Sequence, residues 1–341
     1  MLQDNDPTAA DRKKDHIELA LKSQTPDLDN RFYYEPLFAP HPTKTDTWGD
    51  FSFLNKKMKN PLWVSSMTGG TAMARTINQN LARACRDFGM GMGLGSCRGL
   101  LFSDEYLADF DVRHLIGDDL PLYANLGIAQ LEQLIDTNQL HLIDILLDKL
   151  KANGLIIHVN PMQEWLQPEG DRFKYSPIQT IETVLNQAKY PIIVKEVGQG
   201  FGYQSLKALF QLPLQAIDFA AAKGTNFAKL ELLRSSESKQ NLFENFVKIG
   251  HDAFEMVEMS NQILAELGEK ALCQEVIISG GIKDFLDGYY LISKINTASV
   301  YGMASGFLTH ARGDYETLHA FVSEQVSGLA VAKAYLTLKE S

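Results

Sequence analysis

Eight short apolar runs, separated by longer segments of helical periodicity, predict an α/β protein: a (β/α)8 TIM barrel preceded by an N-terminal extension. Two further observations agree with this. The 341 residues are long for one open sheet but suit one barrel plus an extension. Nearly every apolar run also ends in residues that core packing would not select, at the place where a barrel builds its active site.

Taken in order, residues 1–59 form the extension. It begins with a basic, helix-like segment, DRKKDHIELAL, and continues through a turn-rich stretch with Pro36, Pro40 and Pro42, expected to pack on or over the barrel. The barrel takes residues 60–341. Its strands are PLWVSS from Pro61, MGMGLG from Met90, LYANLG from Leu122, LIIHVN from Leu155, PIIVKE from Pro191, QAIDFA from Gln215, EVIISG from Glu275 and ASVYG from Ala298. Between them, residues 71–87 place Ala74, Ile77, Leu81 and Ala84 on one helical face, and residues 315–336 do the same with Leu318, Val322, Val326 and Leu329. The polar stretch SSESKQN (235–241) has no apolar periodicity and reads as a mobile loop near the barrel mouth. A doubly wound open sheet is the alternative fold, but Gly89, Gly91, Gly93 and Gly95 recur with period two and never satisfy GxGxxG. No Walker lysine, HExxH or GxSxG occurs.

Composition excludes several function classes. With 45% hydrophobic and 22% charged residues the chain is globular, and no apolar run has the length a bilayer requires. The start, MLQDNDPTAADRKKDH, is charged where a signal peptide would be apolar, so a cytoplasmic protein with no membrane partner is expected. Cys85, Cys97 and Cys273 show no CxxC spacing, which predicts reduced thiols and no zinc site. A net charge of -10 argues against nucleic acid as a partner. Small anions remain open, because a few cations converging in a cleft focus their field there.

The strand ends carry the chemistry: SSMTGG, GSCR, NLG, HVNPMQE, KEVGQG, SGGI and GMA, after strands one to five, seven and eight. One glycine pair after a strand is usually a tight turn. Seven such loops at matching positions point to a site. SGGIKD and GMAS have the composition of a phosphate cup, where backbone N–H groups meet phosphate oxygens. Thr225, after strand six, either closes that cup or caps a helix. His158 and Asn160 are two apart at the end of strand four, so the pleat sends both the same way, and Gln163 and Glu164 follow at once. Together they can hold a diphosphate and one hard cation. Glu164 fits Mg²⁺, with an ion pair to a lysine as the alternative, and His158 taken alone would be a structural histidine. Lys195 follows PIIV and needs an anionic or electron-rich partner, either a flavin ring or a buried pair with Asp218, since Glu196 points to the opposite face. Arg12, Lys13, Lys14 and His16 form the densest basic cluster. By default it is a solvated helix face; with Arg98 it would supply cations to a diphosphate.

RKKDH, SSMTGG, GSCR, NLG, HVNPMQEWLQPEGDRF, VKEVGQG, SGGI and GMA, in this order, resemble type 2 isopentenyl-diphosphate isomerase, an FMN-dependent barrel enzyme of isoprenoid biosynthesis. The resemblance runs nearly the whole length, and HVNPMQEWLQPEGDRF is its most specific part. It implies FMN held by Met67, Thr68, Gly69, Ser96, Asn125, Lys195 and Thr225, with the phosphate near Gly280, Gly281, Met303 and Ala304. It implies substrate diphosphate on Arg12, Lys13, Ser96, Arg98, His158 and Asn160, Gln163 facing the reacting carbons, and Glu164 on Mg²⁺. Gln163, Lys195 and His158 are then the catalytic candidates. NADPH as reductant and a homo-oligomer, tetramer or octamer, complete the implied picture. Three places depart from the family pattern: KGTNF stands where GGT-x-W is usual, Gly202 follows Phe201 where Ser or Thr is usual, and Cys97 replaces a common Gln. The expected reaction interconverts isopentenyl and dimethylallyl diphosphate by proton transfer involving reduced FMN. A neutral amide is weakly basic, so Gln163 positions or relays rather than acting as a strong base. The rivals are an FMN oxidoreductase of similar shape, which would consume hydride, and a non-catalytic flavin-binding protein, which would not need the magnesium and diphosphate groups.

Overall fold

Eight parallel strands close into a barrel in the computed structural model, which describes residues 8–25, 27–43, 46–67 and 72–339. Strands one to eight are Leu62–Val64, Gly91–Gly93, Leu122–Gly127, Gly154–His158, Ile192–Lys195, Ala216–Asp218, Glu275–Ser279 and Ala298–Met303. Each pairs with the next, and strand eight closes on strand one through Met303 and Val64. Each falls within, or within two residues of, one of the eight apolar runs. Their near-continuous burial, as in Ile192, Ile193 and Val194, is the mark of strands covered by helices outside and by layered side chains inside.

The helices follow the predicted faces. Ala72–Phe88 buries Ala74, Ile77, Leu81 and Ala84, and Tyr315–Tyr335 buries Leu318, Val322, Val326 and Leu329. Asp314 caps the latter, accepting from Thr317 N at 3.1 Å. The extension meets the barrel in two places. Phe32–Tyr34 pairs antiparallel with Leu336–Leu338. The hairpin Phe51–Phe53/Lys56–Met58 buries Phe53, Leu54 and Met58, and Leu54 N donates to Glu275 Oε1 at 3.0 Å, at the start of strand seven. This hairpin therefore closes the end opposite the mouth. The helix Ala9–Leu19 is different: from residue 11 onward every side chain is exposed, Ile17 by 79%.

One expectation fails. The stretch expected as a mobile loop is largely a helix, Glu237–Phe243, with Ser236 Oγ accepting from Lys239 N. This helix buries none of its residues, so no apolar period announces it. It is held instead by Lys239 Nζ donating to Leu166 O at 2.6 Å and by Phe243 packing on a small satellite core of Leu166, Ala228, Leu232 and Val247. That core ties the loop after strand four to the loop after strand six.

Candidate active site

The loops after strands six and seven approach backbone to backbone. Ala220 N donates to Ser279 Oγ at 2.9 Å and Ala221 N to Ser279 O at 2.8 Å. A side chain at Gly280 would place Cβ 2.2 Å from Ala221 O, at a φ of +92°, and one at Gly224 would place it 2.8 Å from Gly281 N. Glycine alone permits this closeness. The result is a cleft whose lining includes Lys195, Thr225, Gly280, Gly281, Met303 and Ala304. Ser65 and Ser66 also line it, and their buried hydroxyls have no hydrogen-bond partner among the described residues.

A second cleft adjoins the first. It brings together Met67, Ser96, Asn125, His158 and Gln163, and it shares Ser66, Lys195, Val197 and Phe227 with the first. Strand register explains the meeting of its titratable groups. His158 and Lys195 are cross-strand neighbours, so their side chains face the same side of the sheet wall, and Gly127, the neighbour of His158 on strand three, puts no side chain there. Asn125 Nδ2 donates to Leu94 O at 3.1 Å, which leaves its Oδ1 to accept from His158 Nδ1 at 2.7 Å. This network makes His158 the Nδ1–H tautomer, with the Nε2 lone pair free to meet a ligand. Burial, and next the Lys195 charge, push the imidazole down to about 3, so it is neutral in the ligand-free protein. Lys195 is buried, and desolvation lowers it while the charges of Asp218 and Glu196 oppose that shift. Its Nζ donates to the Glu196 carbonyl at 2.6 Å. The Glu196 carboxylate is turned away and accepts from Gly198, Gln199 and Gly200 N–H groups, fixing the turn after strand five.

Asn160 lies beyond the last residue of strand four, so the two-residue alternation stops short of it. It is 2% exposed, and its Nδ2 donates to Gln163 Oε1 at 3.1 Å and to Glu164 Oε1 at 3.0 Å, on the helix Pro161–Leu166. Its Oδ1 is buried without a partner among the described residues. Glu164 Oε2 accepts from Asp171 N at 2.7 Å, and Arg172 Nη1 holds Glu164 O at 2.7 Å. A Cβ at Gly170 would sit 2.0 Å from that same carbonyl. The stretch EWLQPEGDR is thus a loop folded tightly around Glu164. No lysine pairs with Glu164 among the described ion pairs. Arg98 reaches this loop, donating to Asp171 Oδ2 at 3.3 Å, and lines a neighbouring groove rather than either cleft. Arg12 and Lys13 sit on the exposed helix Ala9–Leu19 and line neither cleft. Thr68 and Gly69 lie outside the described residues.

Sequence reasoning missed Ser65, Ser66, Val197 and Phe227 as wall residues. The serines lay in the quoted SSMTGG, but nothing local distinguishes a hydroxyl that faces a cleft from one that caps a turn.

A closed parallel barrel with a glycine cup and a titratable cleft joined at its mouth is the architecture of a β/α-barrel enzyme. No protein-family model matches the chain. Among solved structures, it is similar to a flavocytochrome b2 variant with sulfite bound (TM-score 0.59, 13% identity, 89% of this chain and 71% of that one). It is also similar to a mandelate oxidase variant with (S)-mandelic acid (TM-score 0.56, 14% identity, 91% and 88%). These likenesses establish the fold. Among curated proteins, the isopentenyl-diphosphate delta-isomerase of Rickettsia typhi is 33% identical over 323 residues, 93% of this chain and 89% of the relative. That of Rickettsia prowazekii is 34% identical over 308 residues, 88% and 86%. The chain belongs to the isopentenyl-diphosphate delta-isomerase family.

Proposed function

We propose that the chain interconverts isopentenyl and dimethylallyl diphosphate, with the FMN phosphate in the first cleft, its ring system reaching the near wall of the second, and the substrate beside it in the second. The observation that carries this reading is the sharing of Ser66, Lys195, Val197 and Phe227 between the two clefts, which would set a flavin and a small substrate side by side. The residues fit the cofactor: a backbone cup that no Cβ could enter suits a phosphate, and the buried hydroxyls of Ser65 and Ser66, without partners among the described residues, suit polar atoms of a ligand. Gly280, Gly281, Met303 and Ala304 would hold the phosphate, with Thr225 beside them. Lys195, Asn125, Ser96, Met67, Thr68 and Gly69 would hold the ring system. When bound in reduced form, FMN would supply an exchangeable proton and an electron-rich ring that favours a developing tertiary cation.

Lys195 places a cation between the two clefts. Gln163 orients or relays a proton through its amide. His158, held by Asn125, meets a diphosphate as a donor only once Nε2 takes a proton, which an arriving anion favours and Lys195 opposes. Glu164 would bind Mg²⁺ through lone pairs left by its two hydrogen bonds, with the unpartnered Asn160 Oδ1 close at hand. Arg98, Arg12 and Lys13 would add charge from the rim. NADPH as reductant, a homo-oligomer, a cytoplasmic location and an extension (1–59) distinct from the barrel (60–341) rest on the family resemblance and sequence reading. No helix among the described residues is long and apolar enough to cross a membrane. The test is product analysis after incubating purified protein with isopentenyl diphosphate, FMN, Mg²⁺ and a reductant. Dimethylallyl diphosphate is the expected product, and its absence from folded, FMN-loaded protein would overturn the reading.

A further inference from the structure

Strand register places a third ionisable group beside the two already described. Asp218, the last residue of strand six, is the cross-strand neighbour of Lys195, as Lys195 is of His158. An imidazole, an ammonium and a carboxylate therefore stand in one row on three adjacent strands, on the same side of the wall. Asp218 is 0% exposed. Its Oδ1 accepts from Ser279 Oγ, whose oxygen in turn accepts from Ala220 N–H. Burial raises the Asp218 carboxyl above its ordinary value, and the Lys195 charge, then the Ser279 bond, oppose that rise. Its Oδ2 is buried with no hydrogen-bond partner among the described residues. A carboxylate so placed is costly unless a nearby charge offsets it.

We propose that Asp218 is a positioning residue for the reaction, the buried counter-charge that keeps Lys195 protonated between the two clefts, with Ser279 holding the carboxylate in its ionised form. This deepens the reading of Lys195 as a cofactor contact and rests on it for its bearing on catalysis. Among the described residues, the titratable groups that act on Lys195 or on which it acts are His158 on strand four, Glu196 beside it and Asp218 on strand six. Glu196 Oε2 takes three backbone N–H groups and His158 is neutral, whereas Asp218 Oδ2 is buried with no hydrogen-bond partner among the described residues, so Asp218 is the carboxylate with most to gain from a nearby cation. Lys195 Nζ bonds to a carbonyl, so Asp218, fully buried on the neighbouring strand, acts on it through charge and not through a direct hydrogen bond.

The experiment is NMR on FMN-free protein carrying ¹³C,¹⁵N-labelled lysine, with the Lys195 signal assigned by its loss in Lys195→Gln. In Asp218→Asn, which keeps an acceptor for Ser279, the Lys195 titration midpoint should fall by at least one pH unit. An unchanged midpoint overturns the proposal. The reciprocal variant covers a failure of Asp218→Asn to fold: in Lys195→Gln the Asp218 carboxyl midpoint should rise by at least one unit, and no rise overturns the proposal equally. With FMN loaded, the pH profile of kcat in Asp218→Asn should shift to lower pH while KM stays within about threefold. Because the titration uses protein without flavin, a failure of FMN binding in the wild type would sink the cofactor reading and leave the charge coupling measurable.

Discussion

Gly280→Ala tests the phosphate cup at the point where the backbone has least room. The added Cβ would lie 2.2 Å from Ala221 O and 2.3 Å from Ala221 N, both backbone atoms, at a φ of +92° that alanine resists. The dihedral alone costs about 1–2 kcal/mol. Relief of the overlap needs the 220–224 segment to move by roughly 1 Å, an overpacking cost of about 1–3 kcal/mol. That movement pulls Ala221 N from Ser279 O, now at 2.8 Å, and opens the cup. Together these predict a loss of about 2–5 kcal/mol in unfolding free energy. FMN binding should weaken further than stability alone requires. If one or two charge-assisted bonds to phosphate are lost, at about 1.5–3 kcal/mol each, Kd should rise at least tenfold and by as much as about 10⁴-fold. The assay is quenching of FMN fluorescence on titration with apoprotein, beside urea unfolding of the same sample. Gly313→Ala is the control, since its added Cβ meets nothing within 4 Å. A Gly280→Ala protein that binds FMN as tightly as the wild type would refute the cup.

Glu164→Gln keeps the acceptor for Asp171 N but removes the charge, so Mg²⁺ activation should weaken at least tenfold while FMN stays bound; unaltered Mg²⁺ dependence would remove Glu164 from the metal site. Arg12→Ala and Lys13→Ala should each raise KM with little change in kcat and alter its salt dependence, as expected if the exposed helix delivers cations to the diphosphate; wild-type KM in both would return that helix to a solvated role. His158 predicts a pH dependence of stability. Its folded value, about 3, lies below the ordinary 6.5, so the unfolded chain binds a proton that the folded chain refuses. The stability it contributes is whole above pH 6.5 and is lost as pH falls toward 3. Against His158→Gln, the ligand-free wild type should lose about 1 kcal/mol by pH 6 and about 2 kcal/mol by pH 5. A constant difference between pH 8 and 5 would refute the burial of a neutral imidazole.

The barrel was readable because its strands are short, apolar and β-branched, and because polar residues repeat at their ends; both are local signals. The cup was readable for the same reason: Gly280 and Gly281 are adjacent in sequence. What the sequence left open is what depends on register. Asp218 stood as one of two alternative partners for Lys195, and its row with Lys195 and His158 follows from the alignment of strands four, five and six, which no run of sequence states. Asn160 shows the limit of the two-residue alternation, which ends with the strand at His158. The helix Glu237–Phe243 escaped because it is held by a lysine bond and a satellite core supplied from another loop. Phe227 lines both clefts, yet in sequence it is one more apolar residue at the start of a helix.

Isopentenyl and dimethylallyl diphosphate have the same formula and oxidation level, so a flavin that serves their interconversion ends each cycle with the electrons it began with. The most direct test is to reduce the FMN-loaded protein once under anaerobic conditions, remove the excess reductant, and follow isopentenyl diphosphate through many turnovers while recording the flavin absorbance. Many product molecules per flavin, a spectrum that stays reduced, and almost no product from the oxidised protein are expected. Loss of one reduced flavin per product, or full activity in the oxidised form, would contradict it.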